Sequence, residues 1–188
     1  MLVAVVASVT TASAEDTEGR YAVKGSGQMP CAEFTRALAD RTEAATQALS
    51  WLAGYLTAIN ASEDATFDIV SWQSEGMIAQ ALDARCKANP DEPLAKAVEA
   101  MVAIMRPDRI AIQETPIEVK LGQRKRVLYP SVITRMQSAL KTAGADVDVN
   151  GEFDEATERA LRDFQRNASL AATGFPDSIT LFRLLNTN

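Results

Sequence analysis

The sequence predicts an all-α protein, with a four-helix N-terminal domain and a small three-helix C-terminal domain. Apolar residues recur three and four positions apart along most of the chain, which places them on one face of each helix. Alanine is abundant, and the apolar–polar alternation typical of a strand is confined to residues 117–121. Proline, asparagine and glycine interrupt the periodic stretches, so they mark the ends of the predicted helices.

Three helices are predicted between residues 131 and 188. Asn150 and Gly151 suit the positive φ of a tight turn between the first two helices. Asp154 and Asp177 are good N-caps for the second and third. A unit this small needs its large apolar side chains for burial, so we expect these to face its core: Ile133, Met136, Leu140, Phe153, Leu161, Phe164, Ile179, Leu181, Leu184 and Leu185.

The same region resembles the peptidoglycan-binding domain type 1 family. The positions that carry the resemblance are Gln137, Leu140, Gly144, Asn150, Gly151, Phe153, Thr157, Ala160, Leu161, Phe164, Gln165, Leu170, Thr173, Gly174, Asp177 and Thr180. The resemblance implies a three-helix module that binds peptidoglycan and occurs on cell-wall enzymes and on non-catalytic envelope proteins. Two positions depart from the family pattern, since Asn150 replaces the usual aspartate and Ser169 the usual glycine.

Polar residues at the loops and helix ends of this domain are the candidates for contact with a glycan or a stem peptide. Each of them could instead serve the structure of its loop, and both roles stay open at this stage. The candidates are Asn150, Glu152, Asp154, Gln165, Arg166 and Thr173.

Composition excludes several classes of function. The chain of 188 residues has no histidine, which removes Ser-His-Asp and Cys-His catalysis and histidine-ligated zinc. Its net charge of -6, with no aromatic motif among basic residues, argues against a nucleic-acid partner. We therefore expect no cofactor and no metal site.

The first 14 residues resemble a secretory signal peptide. They are apolar and end in Ala12-Ser13-Ala14, although they lack the basic residues with which a signal peptide usually starts. A buried N-terminal helix is the alternative. We expect an exported protein whose residues 15–28 form a flexible lead-in, and no run is long enough for a transmembrane segment.

The N-terminal domain is predicted to span residues 29–106. Its helical stretches are residues 31–38, 43–60, 68–88 and 93–105. Cys31 and Cys86 both lie in this domain, and an even pair in an exported protein predicts a disulfide. A catalytic thiol is the alternative, but no histidine is present to activate it.

This domain resembles the HdeA and Rap1a/Tai-type periplasmic domains. The residues that carry the resemblance are Cys31, Phe34, Trp51, Leu52, Gly54, Tyr55, Cys86, Asn89, Pro90, Leu94, Ala97 and Val98. The resemblance implies envelope proteins as partners, in the role of an acid-stress chaperone or of an immunity-type inhibitor. Arg85 departs from the pattern, because an aromatic residue usually precedes the second cysteine. Trp51, Tyr55 and Trp72 could line a partner surface or pack in the core.

Residues 107–130 are predicted to link the two domains. A short extended segment is expected at 117–121, followed by the basic cluster Arg124, Lys125 and Arg126. This segment could be a solvated linker, or it could contact anionic wall polymers or lipid headgroups.

These observations predict a non-catalytic periplasmic protein that binds peptidoglycan and whose N-terminal domain binds other proteins. A small cell-wall hydrolase, of the muramidase or lytic transglycosylase kind, is the alternative, because such an enzyme can work with one glutamate acid. Glu33, Glu75 and Glu99 lie in the helical domain, but none has a recognisable muramidase context.

Overall fold

The computed structural model describes residues 16, 18 and 20–186, so the predicted signal peptide lies outside the described residues. In this part of the chain there are seven α-helices and one two-stranded antiparallel hairpin. The helices are α1 (Cys31–Asp40), α2 (Glu43–Ser62), α3 (Glu75–Ala88), α4 (Leu94–Met105), α5 (Pro130–Thr142), α6 (Glu155–Asn167) and α7 (Ser178–Leu185). The strands are β1 (Ile117–Leu121) and β2 (Arg124–Leu128). The all-α prediction is therefore roughly right, with a small hairpin added.

Helices α1 to α4 enclose the first apolar core. Phe34 of α1, Leu82 of α3 and Leu94 of α4 are almost completely buried in it. A disulfide between Cys31 and Cys86 joins α1 to α3 within this core, which confirms the predicted bond. The first turn of α1 is held against the start of α4, because Leu94 N–H donates to the carbonyl of Met29 at 2.8 Å.

Helix α3 begins later than the sequence predicts. The helix expected from residue 68 begins at Glu75, where the Ser74 side chain accepts from the N–H of Met77. Asp68 is held elsewhere, because its backbone pairs with Ile110 in an antiparallel bridge. Residues 68–74 therefore run as an irregular segment between the two halves of the molecule.

The segment expected to be a flexible lead-in packs on the first core over its described residues. A 3₁₀ turn at Gly25–Gln28 places Gly27 against the indole of Trp51, where a Cβ atom would come within 2.3 Å of the ring. The Tyr21 hydroxyl donates to Glu99 of α4. These contacts fix residues 21–28 to α2 and α4.

The predicted linker contains the hairpin. Ile117 pairs with Leu128 and Val119 with Arg126, so these four side chains lie on one face. Val119 and Leu128 are buried, which confirms the alternation predicted for residues 117–121. The inner face of the hairpin covers the core of the C-terminal helices rather than standing in solvent.

Helices α5 to α7 and the hairpin enclose the second core. Ile133, Met136, Leu140, Leu161 and Leu181 are almost completely buried there. Trp72 and Ile110, which precede the hairpin in the chain, belong to the same core. The C-terminal helices therefore share their core with residues outside the predicted domain.

Polar side chains also connect residues 68–72 and Asp108 with the hairpin and the start of the C-terminal helices. Arg126 donates to the carbonyl of Trp72, and Arg135 forms an ion pair with Asp108 at 3.0 Å. The Tyr129 hydroxyl donates to Asp68 at 3.0 Å. Burial and this hydrogen bond raise the pKa of Tyr129 to about 12, so it remains a neutral donor.

Candidate functional site

The loop between α5 and α6 is built around the amide of Gln137. Its Nε2 donates to Asn150 Oδ1, to the carbonyl of Glu152 and to Thr157 Oγ1, at 2.8 to 3.0 Å. Its Oε1 accepts from the backbone N–H groups of Asn150 and Gly151. Gly151 has a φ of 79°, and a Cβ there would lie 3.1 Å from the carbonyl oxygen of Pro130. One buried side chain therefore fixes the conformation of the whole turn.

The loop between α6 and α7 repeats this arrangement around Gln165. Its Nε2 donates to the carbonyl of Phe175 and to Thr180 Oγ1, and its Oε1 accepts from the N–H of Gly174. Gly174 also has a positive φ, of 74°. Gln165 is completely buried, so the structure assigns this candidate contact residue to the interior instead.

The predicted N-caps are confirmed. Asp154 accepts from the N–H of Thr157 and Asp177 from the N–H of Thr180, each at 2.8 Å. The hydrogen bond from the Thr157 backbone is the main reason why the pKa of Asp154 is lowered. The Asp154 carboxylate is therefore a structural acceptor at the start of α6.

The remaining candidates lie at the surface but do not form one site. Asn150 is exposed, yet its Oδ1 also accepts from the N–H of Glu152. Thr173 is half-buried, and its hydroxyl accepts from the N–H of Phe175 at 3.1 Å. Arg166 is exposed on α6 and pairs with Asp163 at 2.8 Å. Glu152 is exposed in the turn before α6.

A groove that the sequence analysis missed lies between the end of α5 and one face of α6. Its cavity has a volume of about 590 Å³. Arg159, Asp163 and Asn167 line it, and their spacing of four residues puts them in one row along α6. Asp146 lies on the facing loop. The row of polar residues at this spacing was the signal in the sequence that could have revealed the groove.

Phe164 forms part of the floor of this groove. It is half-buried against the second core and lines a second cavity, of about 430 Å³, together with Arg135 and Asp108. The pKa of Arg135 is lowered by burial and raised by the nearby Asp108 carboxylate, with burial the larger effect. The two cavities meet at Phe164 and Ala143, so an aromatic side chain lies between the two recesses.

The basic cluster is divided between two roles. Lys125 is exposed on the outer face of the hairpin and pairs with Glu118 at 3.4 Å. Arg126 is on the inner face, where it donates to Pro176 O and Ser178 Oγ of the C-terminal domain. Burial lowers the pKa of the Arg126 guanidinium, although the Asp177 charge acts in the opposite direction.

Two further features are absent from the described residues. No group of three or more cysteine, aspartate or glutamate side chains in this part of the chain is placed to hold a metal ion. No described helix combines the length and apolarity needed to cross a bilayer.

Comparison with known families bears on the C-terminal third. The family PG_binding_1, described as "Putative peptidoglycan binding domain", matches residues 131–184. No curated protein and no solved structure matches the chain. The family match spans α5, α6 and α7 and confirms the C-terminal resemblance, whereas the resemblance of residues 29–106 to HdeA and Rap1a/Tai-type domains stays a prediction. The C-terminal third of this chain is therefore a peptidoglycan-binding domain.

Proposed function

We propose that this protein is a non-catalytic component of the bacterial periplasm that holds peptidoglycan in the groove between α5 and α6. The observation that carries the proposal is the match of residues 131–184 to a peptidoglycan-binding family. The matched residues include α6, which supplies the row of polar residues in that groove. An internal disulfide is compatible with an oxidising compartment outside the cytoplasm.

The groove has the chemistry that a wall fragment requires. Peptidoglycan combines sugar rings, whose faces are apolar, with hydroxyl, amide and carboxylate groups. The half-buried ring of Phe164 offers an apolar surface to a sugar. Arg159 is a donor for a carboxylate. Asp163 accepts hydrogen bonds from hydroxyl or amide groups, and Asn167 can both accept and donate them.

The non-catalytic assignment rests on the carboxylates of the helical body. Glu33 and Glu75 are exposed on the surfaces of α1 and α3. Glu99 is occupied by the Tyr21 hydroxyl and by Lys96, which pairs with it at 2.8 Å. A glutamate acid has to reach the bound glycan, and none of these three lines the groove in which we place it.

We further propose that the helical body of α1 to α4 binds other envelope proteins. What supports this role is the resemblance of residues 29–106 to the HdeA and Rap1a/Tai-type domains. Protection of an unfolded substrate from aggregation at low pH would favour a chaperone. Capture of one envelope enzyme at neutral pH would favour an inhibitor.

The wall-binding proposal is tested by sedimentation with purified sacculi. The variants Arg159→Ala and Asn167→Ala remove two groove side chains that are exposed, so the fold should tolerate both changes. We expect each to weaken binding by about tenfold, the effect of losing one charged or well-placed hydrogen bond. Arg36 is an exposed residue of α1, so Arg36→Ala is the matched control and should bind like the wild type.

Two results would overturn the proposal. One is equal sedimentation of the wild type and both groove variants, which would remove the groove as the site. The other is release of soluble muropeptides from the sacculi by the wild-type protein, which would make it a hydrolase.

A further inference from the structure

A continuous cleft follows the junction between the helical body and the C-terminal domain. It consists of two cavities, of about 580 and 540 Å³. Trp72, Gln73 and Ser178 line both cavities, so the two meet at these residues. Each volume is in the range of pockets that hold small molecules. This cleft is separate from the groove between α5 and α6, with which it shares no lining residue.

One end of the cleft is cationic. Lys125 and Arg126 line it, and Asp177 is the one acidic residue of that cavity's lining. The hydrogen bonds that Arg126 donates within the described residues all go to uncharged acceptors: Trp72 O, Pro176 O and Ser178 Oγ. A half-buried guanidinium without a direct carboxylate partner leaves a positive charge that an anion would compensate.

The other end is apolar and rich in methionine. Met77 of α3 and Met101 of α4 form one side, and Ile179 and Phe182 of α7 form the other. Ile179 is 65% exposed and Phe182 53% exposed, which is unusual for large apolar side chains beside an open cavity. Methionine side chains are flexible and adapt to the shape of an apolar ligand.

An unused donor lies where the two ends meet. Trp72 is only 6% exposed, and its indole N–H has no hydrogen-bond acceptor among the described residues. A buried donor without a partner costs roughly as much as a lost hydrogen bond. Arg85 lines the apolar cavity, and its buried Nε likewise has no acceptor, although its Nη2 pairs with Glu92. An acceptor group on a ligand in the cleft would satisfy such donors.

We propose that this cleft binds a single-chain anionic amphiphile, with its acidic head near Lys125 and Arg126 and its hydrocarbon chain between α3, α4 and α7. The cleft joins a cationic end to an apolar end. Lys125 and Arg85 of its lining also pair with Glu118 and Glu92, so Arg126 is the cation of the lining whose described hydrogen bonds reach no carboxylate. The Trp72 N–H donates to an oxygen of the bound molecule. The proposal is independent of wall binding, because it uses another part of the molecule.

The first experiment is a calorimetric titration of the full protein with three probes, of which the two amphiphiles are kept below their critical micelle concentrations. Dodecanoate has both the head and the chain, dodecyltrimethylammonium has the chain with the opposite charge, and acetate has the head alone. We expect saturable one-to-one binding of dodecanoate. The other two probes should bind at least about tenfold more weakly, since each lacks one half of the interaction.

Two variants test the position of the ligand. Ala81 is an exposed residue of α3 that lines the apolar cavity, so Ala81→Trp should fill the cavity without disturbing the core. We expect it to weaken dodecanoate binding by tenfold or more, whereas Ala53→Trp on exposed α2 should not. Lys125→Gln should weaken binding severalfold, and Lys141→Gln at an exposed position of α5 is its control.

The proposal is overturned by the absence of saturable dodecanoate binding, or by an Ala81→Trp variant that binds like the wild type. Equal affinity for the cationic probe would also overturn it, because the head would then not be recognised. A bilayer surface presents the same chemistry, so vesicles of phosphatidylglycerol form a separate arm. Sedimentation with these vesicles and no binding of free dodecanoate would assign the cleft to a membrane surface and refute the proposal.

Discussion

Replacement of Gln137 by leucine should lower the free energy of unfolding more than the replacement of an exposed residue does. Gln137 is completely buried and makes five hydrogen bonds that hold the turn before α6. Leucine is similar in size but can neither donate nor accept, so Gln137→Leu removes all of these bonds while keeping the volume largely filled.

The magnitude follows from the partners that water cannot reach. Asn150 and Glu152 are exposed, and their groups can turn to solvent after the substitution. The N–H of buried Gly151 is left without an acceptor, whereas the hydroxyl of Thr157 loses Gln137 but keeps its hydrogen bond to the Asp154 carboxylate. An orphaned buried group costs roughly 1–3 kcal/mol and the loss of the other four hydrogen bonds adds to this, so the free energy of unfolding should fall by at least about 2 kcal/mol.

Urea unfolding followed by circular dichroism measures this loss. Gln47→Leu is the matched control, because Gln47 is exposed on α2 and bonds only to Glu43 of the same helix. The control should change the free energy of unfolding by less than about 0.5 kcal/mol. A Gln137→Leu protein within about 1 kcal/mol of the wild type would refute the account of the turn.

Three further predictions concern stability. Cys31→Ala with Cys86→Ala opens a loop with a sequence separation of 55 and should cost about 4 kcal/mol in urea unfolding; a loss under about 1 kcal/mol would contradict this. The pKa of Asp154 is lowered by the Thr157 N–H, so its contribution is present above its unfolded pKa and is lost as pH falls through its folded pKa. The melting temperatures of the wild type and Asp154→Asn should therefore converge in acid. A difference that increases in acid would contradict the prediction. Ser169 has a φ of 57°, so Ser169→Gly should raise the free energy of unfolding by about 1 kcal/mol, whereas a loss would show that the serine side chain contributes more than the strain costs.

The C-terminal helices could be predicted because their signals are local. Asp154 and Asp177 cap the helices that directly follow them, and Gly151 and Gly174 take the positive φ of the adjacent turns. Ser169 also occupies a left-handed conformation at the position where the family usually has glycine. Each of these features depends on residues within a few positions of one another.

The features that sequence reasoning missed depend on distant partners. Asp68 lies in a pattern that favours a helix, but its pairing with Ile110 holds the backbone in an extended form. Trp72 was assigned to the first domain, and its side chain instead packs in the second core. Neither contact has a signal within the stretch where the residue lies, so periodicity could not reveal it.

The candidate site was predicted only in part for a related reason. Gln165 was a candidate contact residue near the end of α6, yet hydrogen bonds to Gly174 and Phe175 of the next loop and to Thr180 of α7 keep it in the interior. Phe164 was assigned to the core, and it also forms part of the floor of the groove. In this domain, therefore, the polar Gln165 stabilises a loop from the interior, while its apolar neighbour Phe164 borders the groove.

Chemical-shift mapping of the full protein with a soluble muropeptide tests the central claim most directly. If the groove between α5 and α6 holds peptidoglycan, the largest saturable shifts should occur at the amides of Arg159, Asp163, Phe164 and Asn167. Shifts confined to the turn at residues 150–154 or to the helices α1 to α4 would contradict the account, as would a spectrum that does not change.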